Sequence, residues 1–171
     1  MKRMCVWGVV AACSLVVAFT WSTLARSQGA AEPVFSGGSY LTAIKDQEGK
    51  IVSRFVITLH ADHTVAAIDS GQDGPIYYFG SQLGDWKPAG KHQIVVRTIN
   101  FAYWQGPNGA GVVRGDYVIN LSPDRRHVTG TITVTDFPLD GNPNGDDGIL
   151  IASVPFEGDR IEPPGLGVSP F

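Results

Sequence analysis

Arg97 carries the sharpest chemical possibility in the sequence. If a turn at 88–91 joins the β-rich runs 76–86 and 92–103, Gln82 stands opposite Arg97. Tyr78, Gly80, Gly84, Trp86, Val95, Ile99, Phe101 and Tyr103 then share their face. A guanidinium and an amide among aromatic rings, with glycines leaving space, has the composition of a small-molecule site. Arg97, Gln82, Tyr78, Trp86 and Tyr103 are therefore the candidate ligand-binding residues. An enclosed guanidinium needs an acceptor, so a ligand meeting Arg97 would bring an oxygen-rich or anionic group. The opposite face, with Tyr77, Phe79, Leu83, Ile94 and Val96, competes for the inside. If it wins, Arg97 is a surface residue.

Metal chemistry has a weaker footing. Asp140-x-Asn142-x-Asn144-Gly145, followed by Asp146, matches the start of a calcium loop, in which hard oxygens converge on a tightly curved chain. Ile151 stands where the bidentate acid should be, and Pro143 stiffens the curve. The same composition suits any long turn. His60, His63, His92 and His127 each lie beside a turn, where side chains around a rim diverge rather than converge on a metal. No metal site and no cofactor is expected. There is no Gly-x-Ser-x-Gly, no phosphate loop and no Ser-His-Asp order, and no residue is singled out as catalytic.

These residues must be positioned by strands. Beyond the N-terminus no long segment shows a helical apolar period, and 21 Gly and 11 Pro punctuate short β-rich stretches. Eight runs are predicted: 39–45, 51–60, 64–70, 76–86, 92–103, 112–121, 127–137 and 149–156. Taking 123–126 as a turn pairs Leu121 with Val128, Ile119 with Gly130, Tyr117 with Ile132 and Gly115 with Val134. The other face pairs Asn120, Val118, Asp116 and Arg114 with Thr129, Thr131, Thr133 and Thr135. One face is apolar and the other mostly polar, a separation that a one-residue slip would destroy. Ala61-Asp62-His63-Thr64 reads as a tight hairpin with His63 at positive φ. The expected fold is all-β, a single eight-stranded antiparallel up-and-down barrel, with a β-sandwich as the alternative. In a meander the short turns 61–63, 88–91 and 123–126 share one end. The longer loops 46–50, 71–75, 105–111 and 138–148 share the other, where a ligand-holding barrel has its mouth.

The N-terminus reads as a signal peptide over 1–31. Lys2 and Arg3 precede an uncharged apolar stretch at 5–19, and small residues follow at Thr23-Leu24-Ala25 and Gly29-Ala30-Ala31. The barrel domain then covers 32–160, and 161–171 is a Pro/Gly-rich tail. Both cysteines, Cys5 and Cys13, lie in the signal, so the mature chain has no disulfide and no thiolate chemistry. Three of the 13 basic residues and none of the 16 acidic ones precede Ala31, which leaves the mature chain at a formal −6. An acidic chain without a basic cluster is not a nucleic-acid binder. The expectation is a periplasmic or extracellular protein with a small-molecule ligand and no stable membrane span after cleavage, its oligomeric state open.

Four motifs carry a family resemblance: Gly38-x-Tyr40, Leu59-His60-Ala61-Asp62-His63-Thr64, Gly84-Asp85-Trp86 and Val128-Thr129-Gly130-Thr131. Over 38–156 the chain resembles the small secreted calycin-like barrels, grouped with lipocalins, avidins and allene oxide cyclase-like proteins. Its Gly-x-Trp lies near the fourth strand, whereas lipocalins carry theirs on the first, and no avidin biotin-site pattern is present. The resemblance implies a barrel that binds a small, partly apolar ligand inside. The alternative it implies is an allene oxide cyclase-type isomerase or cyclase acting on a reactive substrate in the cavity.

Overall fold

A computed structural model describes residues 35–72, 77–104 and 110–164. The signal segment expected at 1–31 and the end of the tail lie outside them. The described residues contain no helix. The strands are β1 (Gly38–Lys45), β2 (Ile51–Leu59), β3 (Thr64–Asp69), β4 (Tyr77–Phe79), β5 (Gln82–Pro88), β6 (Gln93–Trp104), β7 (Ala110–Leu121), β8 (His127–Pro138) and β9 (Ile149–Arg160).

Every ladder is antiparallel, and neighbours follow chain order through β1-β2-β3-β5-β6-β7-β8-β9. Tyr40–Ala43 of β1 then pair with Arg160–Glu157 of β9 and close the ring. The result is the expected eight-stranded meander barrel, with the short β4 outside the closed ring and paired to the far end of β6. The sandwich alternative falls away because a sandwich would leave β1 and β9 on separate edges.

The β7–β8 register is the one the alternation predicts, from Leu121 opposite Val128 to Arg114 opposite Thr135. Tyr117, Ile119 and Ile132 are buried, Val134 packs against them, and Thr129 and Thr131 are exposed. Burial of the apolar face selects this register over its neighbours, which would turn the threonines inward. Gly130 has a packing reason. A Cβ there would lie 2.3 Å from the Val118 carbonyl oxygen and 2.7 Å from the Phe156 ring, so glycine admits that ring.

The β2–β3 hairpin forms as expected. His63 has φ 74°. The His60 N–H donates to Thr64 O at 2.9 Å, and Asp62 Oδ1 accepts from the Thr64 backbone N–H and hydroxyl. This is a three-residue loop that ends in a left-handed residue.

The β5–β6 register differs from expectation. The connection runs 89–93, one residue later and one longer than a turn at 88–91, so Pro88 faces Ile94 and Asp85 faces Arg97. The net slip of three residues is odd, and an odd slip exchanges the two faces of one strand relative to the other. Gln82, Gly84 and Trp86 keep their common face but share it with Ile94, Val96 and Thr98. The predicted run 76–86 is also broken, at Gly80-Ser81. Four steps from Phe79 to Leu83 span three on β6, from Ala102 to Ile99. This extra residue is a bulge, which reverses the alternation between β4 and β5.

Two aromatic groups fill the short-turn half of the interior. Trp86 sits between Phe35, edge-on at 5.2 Å, and His63, stacked at 4.4 Å. Its indole N–H donates to His60 O at 2.9 Å. At mid-barrel Phe55, Tyr117 and Phe156 meet with ring centroids 5.1–6.2 Å apart.

Candidate ligand cavity at the loop end

The described strand ends sort as the meander requires. The three short turns share one end, and the strand ends at Lys45, Asp69, Trp104 and Pro138 share the other. On the inner wall toward that second end lies a cavity of about 180 Å³. Ile44, Phe79, Val113, Ile132, Val134 and Val154 supply its apolar wall, Gly115 also lines it, and Asp69, Gln82 and Asn100 supply the polar groups.

Each polar group continues an inward-facing series. On β3, Val65 and Ala67 are buried core residues, and Asp69 follows at the same parity. Its Oδ1 accepts from the Ser53 hydroxyl at 2.9 Å and the Gly71 N–H at 2.7 Å. On β6, Asn100 follows Ile94, Val96 and Thr98, and its amide donates to Gly80 O at 3.3 Å. Gln82 opens β5. Its Oε1 accepts from Thr98 Oγ1 at 2.9 Å and from the Tyr117 hydroxyl at 2.5 Å. Burial pushes the Tyr117 phenol far above its ordinary range, and the nearby Asp69 carboxylate also raises it. Tyr117 is therefore a hydrogen-bond donor at neutral pH. Gln82 and Asn100 are 8% and 6% exposed. Both line the cavity while bonding to neighbouring strands.

Of the five residues expected to form the site, Gln82 alone lines this cavity. Arg97 is corrected to the outer wall, its side chain 46% exposed, where Nε donates to Asp116 Oδ1 at 2.7 Å. Tyr78 and Tyr103 also face outward, half exposed and paired with ring centroids 6.0 Å apart. Trp86 is inside but fills the short-turn end. The odd slip in the β5–β6 register accounts for Arg97 and Tyr103, and the bulge accounts for Tyr78. Gly84 makes no space, since a Cβ there would lie 1.9 Å from the Arg97 carbonyl oxygen. Its role is close approach of two backbones. Phe79, Asn100, Asp69 and Tyr117 are the site residues that the reading of the sequence missed. An Asp continuing the inward Val65, Ala67 series toward the long-loop end was the available signal.

A larger hollow of about 630 Å³ lies on the outer wall over β5 to β8, and Arg97 and Asp116 line it. Arg97 and Asp116 already satisfy one another there. The inner cavity brings polar side chains from three strands to an apolar wall, and this marks it as the better candidate.

The calcium-like loop is organised around a guanidinium. Arg114 donates to the carbonyls of Pro143 at 2.8 Å and Gly145 at 2.7 Å, and its guanidinium lies 5.0 Å from the centre of the Phe137 ring. Asn142 Oδ1 accepts from the Asn144 N–H. These oxygens serve the chain itself. Among the described residues, Asp140, Asn142, Asn144 and Asp146 belong to no cluster of three or more His, Cys, Asp or Glu side chains able to hold a metal. The histidines sit apart as well: His127 Nδ1 pairs with Asp159 at 2.9 Å, while His63 stacks on Trp86.

The fold and cavity define a small eight-stranded barrel with a polar-lined inner chamber. Comparison with known proteins finds no matching family, no matching curated protein and no matching solved structure.

Proposed function

We propose that the mature protein is an exported β-barrel that binds a small, partly apolar ligand inside the loop end of the barrel. The observation that carries this reading is the cavity on the inner wall, whose apolar lining is interrupted by the buried amides of Gln82 and Asn100. Polar groups buried without a full set of partners are costly, and a ligand that bonds them offsets the cost. The resemblance to calycin-like barrels supports the same reading. Export rests on Lys2, Arg3 and the apolar stretch after them, and places the protein in the periplasm or outside the cell.

The alternative is an isomerase or cyclase of the allene oxide cyclase type. It draws on the Asp69 carboxylate, which stands at the apolar wall of the cavity.

Native mass spectrometry of the protein purified from its own host tests the binding reading. A small-molecule adduct is expected on the wild type and absent from Val154→Phe, which fills the cavity. A bare wild-type mass, or an adduct retained in Val154→Phe, would overturn it. Release of a rearranged isomer of the bound compound, resolved from it by chromatography, would move the assignment to the enzyme.

A further inference from the structure

We propose that the ligand of this cavity is a small cationic amine, a protonated ammonium on a short apolar body, with the ammonium seated at Asp69. The inference rests on the binding reading above and adds the ligand's charge.

The basic strand residues keep to the outer wall. Lys45, Arg54, Lys87 and Arg97 are exposed strand residues. Arg114 is on the outer face, with Nε 2.8 Å from Asp116 Oδ2. Arg160 reaches Gly37 O at the short-turn end. No Lys, Arg or His is among the residues lining the cavity, whereas Asp69 is. A second carboxylate, Asp136, has the inward parity of Ile132 and Val134 and stands opposite Val113, itself a lining residue. Its Oδ1 is buried without a hydrogen-bond partner. A carboxylate shielded from water with no countercharge is unfavourable, so the inner wall calls for a cation.

The open hydrogen-bonding positions agree. Both bonds to Asp69 fall on Oδ1, and among the described residues Oδ2 accepts none. Asn100 uses its amide N–H on Gly80 and leaves its oxygen open. Acceptors at Asp69 and Asn100 match an ammonium, which has three donors and no acceptor. The Phe79 ring in the same wall suits a cation as well. A carboxylate ligand would meet the charge of Asp69. A cavity of about 180 Å³ suits a small ligand.

Three probes of one shape separate the possibilities: n-butylamine, 1-butanol and butyrate, each titrated at neutral pH into ¹⁵N-labelled protein. The amide signals of Val113 and Gly115 report binding. The amine should bind at least about tenfold more tightly than the alcohol, and butyrate more weakly than either. Asp69→Asn keeps an oxygen for Ser53 and Gly71. It should cost the amine about tenfold and leave the alcohol unchanged. Val154→Phe should abolish binding of all three. Equal binding of amine and alcohol would overturn the cationic ligand while leaving the cavity reading intact. So would an amine preference that survives Asp69→Asn, or amine binding that survives Val154→Phe, which would be attraction to the acidic surface. If none of the three shifts Val113 or Gly115, the cavity reading falls together with this one.

Discussion

The Tyr117 hydroxyl donates to Gln82 Oε1 at 2.5 Å, and Thr98 donates to the same oxygen. One buried amide thereby joins β7, β6 and β5 beneath the cavity. Tyr117→Phe removes one donor and leaves the other. The loss should be about 0.5–1.5 kcal/mol, the usual net value of one hydrogen bond when the acceptor keeps another donor. Urea denaturation would show it as a lower midpoint with an unchanged slope. An unchanged midpoint would mean that the bond contributes nothing net.

The same phenol makes stability fall in alkali. Burial raises the folded pKa of Tyr117, and of Tyr40, above the ordinary value of 10.0. The unfolded chain then ionises first, so the contribution is intact below about pH 10 and lost as pH climbs above it. The phenolate absorbance of Tyr117 should therefore rise together with unfolding, and Tyr117→Phe should flatten the alkaline loss. Ionisation of Tyr117 with the fold intact would contradict the burial argument.

The β7–β8 register can be tested with two aspartates. Ile119 is fully buried, and Thr131 faces solvent. Ile119→Asp should abolish cooperative folding, because an unpaired carboxylate in the core costs several kcal/mol. Thr131→Asp should stay within roughly ±0.5 kcal/mol. Equal losses in thermal denaturation would show that the faces are misassigned.

Arg97 and Arg114 share Asp116 but should behave differently. The Arg97 side chain is 46% exposed and that of Arg114 only 11%. Arg97→Ala should cost no more than about 1 kcal/mol, as solvent screens an exposed pair. Arg114→Ala frees two loop carbonyls and uncovers Phe137, and should cost about 2–4 kcal/mol. Neither should change ligand affinity more than about twofold, since both lie outside the cavity. A large loss of binding in Arg97→Ala would return the site to the outer wall.

Gly130→Ala should destabilise the barrel by about 1–3 kcal/mol, the range for overpacking. The added methyl would meet the Phe156 ring and the Val118 carbonyl. Phe156→Leu in the same background should recover part of the loss. No recovery would place the strain at the backbone instead.

The sequence by itself determined the all-β class, most of the strands and the β7–β8 register. Alternation of apolar and polar residues across a short turn is local, and only one register buries Tyr117, Ile119 and Ile132 together. The positive φ of His63 was legible for the same reason, because the turn that needs it spans three residues. Tertiary structure decided which face of β5 and β6 looks inward. That choice hung on one residue of loop length and on the bulge at Gly80-Ser81, and both faces of these strands are apolar enough for either. Only ring closure through β1 and β9 settled it. Closure also brought Asp69, Gln82 and Asn100, on three different strands, to one wall. Local periodicity reports which residues share a strand face, but a cavity is made by curvature across several strands, and no single stretch of sequence contains it.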